Sequence, residues 1–357
     1  MNGARHSSER WQRLAALAGA MGIALALFLS YAAPGALGGW LAAFFFWSSL
    51  PIGALCLAAM MGLIPGVWRA ELQAQAGAAL LLLPLAALSV IPVLVGLAGL
   101  YSWASAPGSE GFRGIYLSPL FFIGRTVIFF AATGAIALLL LLRPRSTAIA
   151  AAGLIVFVLL DTTIAVDWLM SLEPDFHSSG FGLYVLSIQA TIALAFLILS
   201  SLFAGNPGAR TEVLGGLLLT ALLLWAYLAF MQYVISWSDN LPASVSWYQQ
   251  RGRGVWSLFE YAIAMLGLAP LLLLLFPPVR CSRTWLIALC FAVLAGKALE
   301  AVWLVLPVAA GRPGLTAAAT LLAFAGIGAL NLAAFPTSMR LRPRISGSWR
   351  ERAESLP

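Results

Sequence analysis

Residues 147–204 read TAIAAAGLIVFVLLDTTIAVDWLMSLEPDFHSSGFGLYVLSIQATIALAFLILSSLFA: an apolar run, an acidic break, and a second apolar run. Each run, 147–168 and 180–204, is long enough to cross the hydrocarbon core of a bilayer as a helix, which takes roughly 20 apolar residues. The break holds Glu173, Asp175 and His177, with Asp167 at the end of the run before it, in a chain that has only 13 acidic residues and 2 histidines. Backbone in lipid has no water to bond, so spans are helices or closed barrels. Barrel strands alternate apolar and polar side chains, and these runs do not.

The pattern continues along the whole chain. It is 62% hydrophobic and 9% charged, with a mean hydropathy of +0.95, and a water-facing surface needs far more charge than that. Cutting at Pro, Gly and charge clusters gives ten apolar runs: 14–33, 38–63, 77–100, 119–142, 147–168, 180–204, 212–236, 255–276, 284–308 and 314–336. The expected fold is an all-α polytopic membrane protein of about ten transmembrane helices. The run from Leu14 to Ala33, behind Arg5, Arg10 and Arg13, is too long for a secretory signal core and reads as a retained first helix. Cys56, Cys281 and Cys290 form no C-x-x-C pair and read as packing residues.

An even number of spans puts both termini on one side. The termini and the loops sharing their side carry fourteen arginines, and the opposite loops carry only Arg113, Arg251, Arg253 and Arg312. The positive-inside rule then makes both termini cytoplasmic. The net charge of +7 is thereby a topology signal, not a sign of nucleic-acid binding. Three outer loops are long, 101–118, 169–179 and 237–254, and they offer docking surface to a partner or ligand. Their candidate residues are Glu173, Asp175, His177 and Asp239.

A faint repeat links FRGIYLSPLFF (112–122) with GRGVWSLFEYA (252–262) at an offset of 140 residues. The same offset lays spans 2 to 5 over spans 6 to 9. It implies a four-helix bundle over 38–168, a second over 180–308, flanking helices at 14–33 and 314–336, and a cytoplasmic tail over 337–357.

The charges inside the spans carry the chemistry. Lys297, the one lysine, lies mid-span with Glu300 three residues on, on the same helix face. Left alone at the bilayer centre, each charge would cost about 2.5–3.5 kcal/mol, so they are expected to pair. Asp161 lies at a comparable depth, and the repeat aligns it within one residue of Glu300. Nearer the outer side lie Arg125, Glu260 and Asp167, with Arg125 and Glu260 placed for a cross-bundle pair. Asp161, Lys297, Glu300, Asp167 and Glu260 are the candidate proton-path residues. Arg125 does not release its proton and is read as the holder of a carboxylate. The bland reading makes all of these structural ties between helices. His6 and His177 lie outside the spans, so a haem held by two intramembrane histidines is not expected, nor is a metal or nucleotide site.

Two outer loops also carry a resemblance. In the first, Ser171, Leu172, Glu173, Pro174, Ser178, Phe181 and Gly182 fit a family pattern; in the second, Trp237, Ser238, Asn240, Leu241, Pro242, Trp247 and Tyr248 do so. Together with YLSPLFFIGRTVIFF (116–130), they resemble the F subunit of bacterial alternative complex III, a quinol:cytochrome c oxidoreductase of the NrfD-like, polysulfide-reductase-type superfamily. His177 after Phe176, and Ala243–Ser244 where an acidic pair is common, depart from that pattern. The resemblance implies two four-helix bundles with flanking helices, no cofactor bound by this chain, and a proton path. It also implies a paralogous quinol-binding membrane subunit and periplasmic haem c and iron–sulfur subunits as partners, or a reduced cluster beside a terminal oxidase. Alternatives from the residues alone are a stand-alone secondary transporter and a structural anchor of a redox complex. Quinol binding by this chain, with His177 and the nearby carboxylates taking its protons, is a further reading.

Overall fold

A computed structural model describes residues 2–33, 35–105, 111–204, 210–238, 242–309 and 311–354. Among them there is no strand, and nine helices are long and apolar enough to cross a membrane, or ten if one bent pair counts as a single span. The protein is an all-α, multi-pass membrane protein. The spanning helices are α1 (Asn2–Ala32), α2 (Ala36–Leu63), α3 (beginning with Val67–Leu80), α4 (Pro119–Leu142), α5 (Thr147–Trp168), α6 (Phe181–Phe203), α7 (Thr211–Ser238), α8 (Val255–Leu274), α9 (Arg283–Val305) and α10 (Pro313–Glu354).

The third span differs from the expected straight run over 77–100. Its helix starts ten residues earlier, at Val67, breaks after Leu80, and resumes as Leu83–Ser89 and Ile91–Val95 with a bend of 41°. Pro84 and Pro92 explain the break: each lacks the N–H its turn needs, and its ring clashes with the carbonyl four residues back. The early start includes Arg69, Glu71, Gln73 and Gln75, whose polarity hid the first turns from a hydropathy reading. α10 likewise runs beyond the apolar stretch, as far as Glu354.

Helices α2 and α6 form the centre and pack on each other. Both are buried on nearly all sides, α2 from Ala36 to Leu57 with the single exception of Trp47. Their approach is set by Gly53, where a Cβ would come within 2.2 Å of the Gln189 carbonyl oxygen. Around this pair, α3 and α5 pack on α2 and α4 packs on α5, while α7 and α9 pack on α6 and α8 packs on α9. The first and last helices lie against each other in the most extensive pairing of the fold, and α10 also covers α2. The outward faces carry large apolar side chains, such as Leu17, Met21 and Phe28 of α1 and Leu258, Tyr261 and Met265 of α8. In water such a surface would aggregate; in a bilayer it is the solvent-facing side.

Contacts between connections sort them into two ends. At one end Arg69 donates to the Pro144 carbonyl, Arg283 to Leu202 and Thr211 to Cys281. At the other, Tyr101 donates to the Trp168 carbonyl, Arg113 to Pro174 and Gln250 to Pro307. The second end holds the acidic stretch 167–177.

Candidate functional site

Three helices converge on one carboxylate. On α9 the three-residue spacing puts Lys297 and Glu300 together, Nζ to Oε2 at 2.7 Å, with the side chains 2% and 1% exposed. From α7, the Trp225 indole donates to Glu300 Oε1 at 2.9 Å, and its ring lies 3.3 Å from the Lys297 ammonium. From α6, the Tyr184 hydroxyl donates to the same Oε1. The expected Lys297–Glu300 pair is therefore formed, inside an aromatic housing that supplies Glu300 with two neutral donors as well.

Asp161 is equally buried, at 1% exposure, and is held differently. Neither of its carboxylate oxygens receives a hydrogen bond among the described residues. Cys56 on α2 lies within its electrostatic reach, and from α6 the Gln189 side chain approaches the carboxyl as a hydrogen-bonding neighbour, outside strict hydrogen-bond geometry. Helix α6 packs against both α5 and α9, so it separates Asp161 from the Glu300 cluster. The step from Tyr184 to Gln189 along α6 is about 7.5 Å at about 1.5 Å per residue.

Arg125 holds a carboxylate, as its chemistry suggests, but not that of Glu260. Its Nε meets Asp167 Oδ2 at 2.6 Å and its Nη2 meets Oδ1 at 2.9 Å, a two-point grip between neighbouring α4 and α5. The same Nη2 donates to the Tyr116 carbonyl, and the guanidinium lies 4.0 Å above the Tyr116 ring. Adjacent packing wins over the cross-bundle pair because α4 touches α5 directly, whereas Glu260 sits on α8 at the outer rim. Burial and the Asp167 charge push the Tyr116 phenol up to about 12.

The acidic loop is sewn onto the second aromatic loop. Arg251, 1% exposed, donates to Glu173 Oε1 at 2.6 Å, to the Leu304 carbonyl at 3.0 Å and to the Trp247 carbonyl at 3.2 Å. Burial lowers the Arg251 guanidinium below its usual range, with Glu173 opposing that shift. The Phe176 ring stacks on Trp247 with centroids 4.6 Å apart, and Ser178 donates to Gln232 at 2.7 Å. The Asp175 carboxylate takes an exposed bond from Arg113 at 3.0 Å. His177 is exposed and contacts the Asp175 carbonyl at 2.9 Å, away from the buried cluster. Asp239 lies outside the described residues.

Below this cover is a cavity of about 520 Å³. Glu300 and Tyr184 reach it from the bundle interior, Trp247 and Tyr248 from the loop helix Pro242–Arg251, Trp225 from α7 and Glu260 from α8. Exposed Phe230 and Tyr233 of α7, together with Leu268 of α8, border it on the lipid-facing side. The cavity is thus an aromatic slot with one carboxylate at its inner end and another at its rim.

Sequence reasoning missed Tyr184, Trp225 and Arg251. The first two are apolar enough to pass as span residues, and only their donor atoms, aimed at Glu300, reveal them. Arg251 entered the sequence reading only as one of four outer-loop arginines; its signal was Trp247 and Trp303, which pack around it. No family model matches the sequence, and no curated protein matches it either.

Proposed function

We propose that this chain is a proton-conducting, cofactor-free membrane subunit of a respiratory quinol:cytochrome c oxidoreductase, similar to the F subunit of alternative complex III. In this reading it sits in a bacterial inner membrane with both termini cytoplasmic. It assembles with a paralogous quinol-binding subunit and with periplasmic haem c and iron–sulfur subunits, or with a terminal oxidase. One observation carries the reading: two fully buried carboxylic side chains, Asp161 and Glu300, flank the same central helix, one without a cation partner among the described residues and one at the inner end of a cavity under the acidic loops. A purely structural set of charges needs each buried carboxylate paired. Asp161 has no cation partner among the described residues, so its charge is governed by proton uptake and release, and it is the candidate to pass a proton.

The arrangement supports a division of labour. Asp161 exchanges protons within the bundle, Glu300 passes them towards the cavity with Lys297 holding its charge, and Glu260 stands at the rim. Arg125 and Asp167 tie α4 to α5, and Glu173 with Arg251 closes the outer loops. The test is purification with native partners, followed by quinol:cytochrome c reduction and proton release in Asp161→Asn and Lys297→Met. Loss of proton release with electron transfer retained supports the path. Unchanged proton release in both variants would leave these residues as ties only.

The cavity favours a second reading, in which this chain itself takes a hydroquinone. An aromatic slot open to lipid suits a flat ring on an apolar tail, and oxidation to the quinone releases two protons and two electrons. Glu300 and Glu260 would accept the protons while a partner's redox centre accepts the electrons. Photolabelling of the isolated chain by an azido-quinone, lost in Trp225→Leu, separates this reading from the first.

A further inference from the structure

Glu71 of α3 is a carboxylate that the proton-path reading leaves unused. It stands about one turn into the helix, at the end of the bundle away from the acidic loops, as a half-buried residue whose Oε2 is shut off from solvent. Among the described residues no hydrogen bond reaches that oxygen, and none of the ion pairs includes Glu71. Four residues on, and so on the same helix face, Gln75 is 7% exposed and its Oε1 is equally without a donor. That face is turned inward: Leu72, Ala76 and Ala79 along it are buried, and α3 packs on both central helices, α2 and α6. The Ser201 hydroxyl of α6 donates to the Glu71 carbonyl at 3.4 Å, which sets Glu71 against that helix.

The orphaned oxygens are not scattered. Among the described residues, every buried carboxylate or amide side-chain oxygen without a donor belongs to Glu71, Gln75, Asp161 or Gln189. Cys56 of α2, which lies within electrostatic reach of Asp161, relates the two pairs by depth. It stands seven residues before the end of α2 and Gln75 eight residues after the start of α3, with the short link 64–66 between those ends. At about 1.5 Å per residue, the two are about 10.5 Å and about 12 Å in from the same end. Buried acceptors that the protein leaves unpaired are ordinarily served by water, and carboxylates strung along such water inside a membrane bundle are proton relays. A glutamate serving only as a solvated surface charge would keep both oxygens in bulk water, whereas Oε2 of Glu71 is closed off from it.

We propose that Glu71 is the entry carboxylate of the proton path, taking a proton from water at the end away from the acidic loops, and that Gln75 directs it inward to Asp161. An O–H bond forms on the Glu71 carboxylate as one in hydronium breaks. The proton then leaves Glu71 for water held at the Gln75 amide and ends on the Asp161 carboxylate, with no electron transferred. Gln75 neither gains nor loses a proton and is a positioning residue. The inference rests on the proton-path reading and gives that path its first group.

The test uses the full chain with its native partners in liposomes, with quinol:cytochrome c reduction started from outside and proton release followed by a pH dye. Glu71→Gln is expected to slow proton release by about a hundredfold or more, the low end of what a positioned proton-transfer group contributes, while electron transfer measured with a protonophore is retained. Glu71→Asp keeps a carboxyl at the entry and should recover most of the release. Gln75→Leu should fall between the parent and Glu71→Gln, and it keeps the test valid if Glu71→Gln assembles poorly. Glu212→Gln, which neutralises an exposed carboxylate at the same end, should change nothing. Unchanged release in Glu71→Gln, with Asp161→Asn still lowering it, would overturn the entry and leave the path standing. Unchanged release in both would overturn the path and the entry with it. An equal loss in Glu212→Gln would overturn the assignment to Glu71 in favour of surface charge, and unchanged release in Gln75→Leu would overturn the role of Gln75.

Discussion

Substituting Lys297 by Met removes one charge from a pair whose members are 2% and 1% exposed and 2.7 Å apart. The change is nearly isosteric, so packing is kept and the loss is electrostatic. Glu300 would retain the Trp225 and Tyr184 donors but face no cation, and the indole would lose the ammonium 3.3 Å away. Breaking a buried pair from one side costs about 3–5 kcal/mol, because the remaining charge is left buried and uncompensated. At about 1.4 kcal/mol per tenfold change, the unfolding equilibrium moves by roughly two to four powers of ten. Lys297→Met/Glu300→Gln removes both charges and keeps an acceptor for Tyr184 and Trp225, so it should return to within about 1 kcal/mol of the parent. The assay is reversible unfolding of the purified chain in mixed micelles with graded dodecyl sulfate, followed by tryptophan fluorescence. A single variant within about 1 kcal/mol of the parent, or a double variant no better than the single, would refute the claim that the pair is a closed electrostatic unit.

Other consequences are equally direct. Gly53→Ala drives a methyl group towards the Gln189 carbonyl, 2.2 Å from the ideal Cβ, and should destabilise the α2–α6 contact by about 1–3 kcal/mol or more in a thermal melt. Arg125→Lys keeps the charge but loses the two-point grip on Asp167, so a loss of about 1–3 kcal/mol is expected, with a null result pointing to charge alone. Tyr116 is held neutral up to about 12, against an ordinary value of 10.0. Its stabilising contribution is therefore whole below pH 10 and is lost as the pH climbs through 12, and Tyr116→Phe should blunt that alkaline loss. Trp247→Ala removes the Phe176 stack and the ring 3.8 Å from Arg251, and should speed proteolysis in the 169–179 loop without moving the spans.

Much of this architecture is legible in the sequence, because the bilayer makes hydropathy nearly a length gauge. Nine of the ten apolar runs coincide with spanning helices to within a few residues at most ends. The third does not, since Val67–Gln75 is amphipathic and a proline within an apolar run looks the same whether the helix bends or continues. The Lys297–Glu300 pair was legible from spacing, because two residues three apart on a helix have no choice of face. The partner of Arg125 was not: depth along the membrane axis says nothing about which helices are neighbours. Tyr184 and Trp225 were hidden for a related reason, as an indole or phenol counts as apolar until its donor has a target.

The pairing of α1 with α10 sets a timetable for the chain's own making. α10 begins at Pro313, so most of the protein is synthesised after α1 enters the membrane, with α2 and, through the Tyr31 hydroxyl on the Pro92 carbonyl, the third span as its earlier neighbours. At about 5–20 residues per second the interval is roughly 15–60 s, during which the face that will meet α10 is bare to lipid or to an insertion chaperone. A ribosome stall or truncation before residue 313 therefore leaves an α1 with a vacant flank, which gives quality-control proteases a way to recognise unfinished chains from the amino-terminal end.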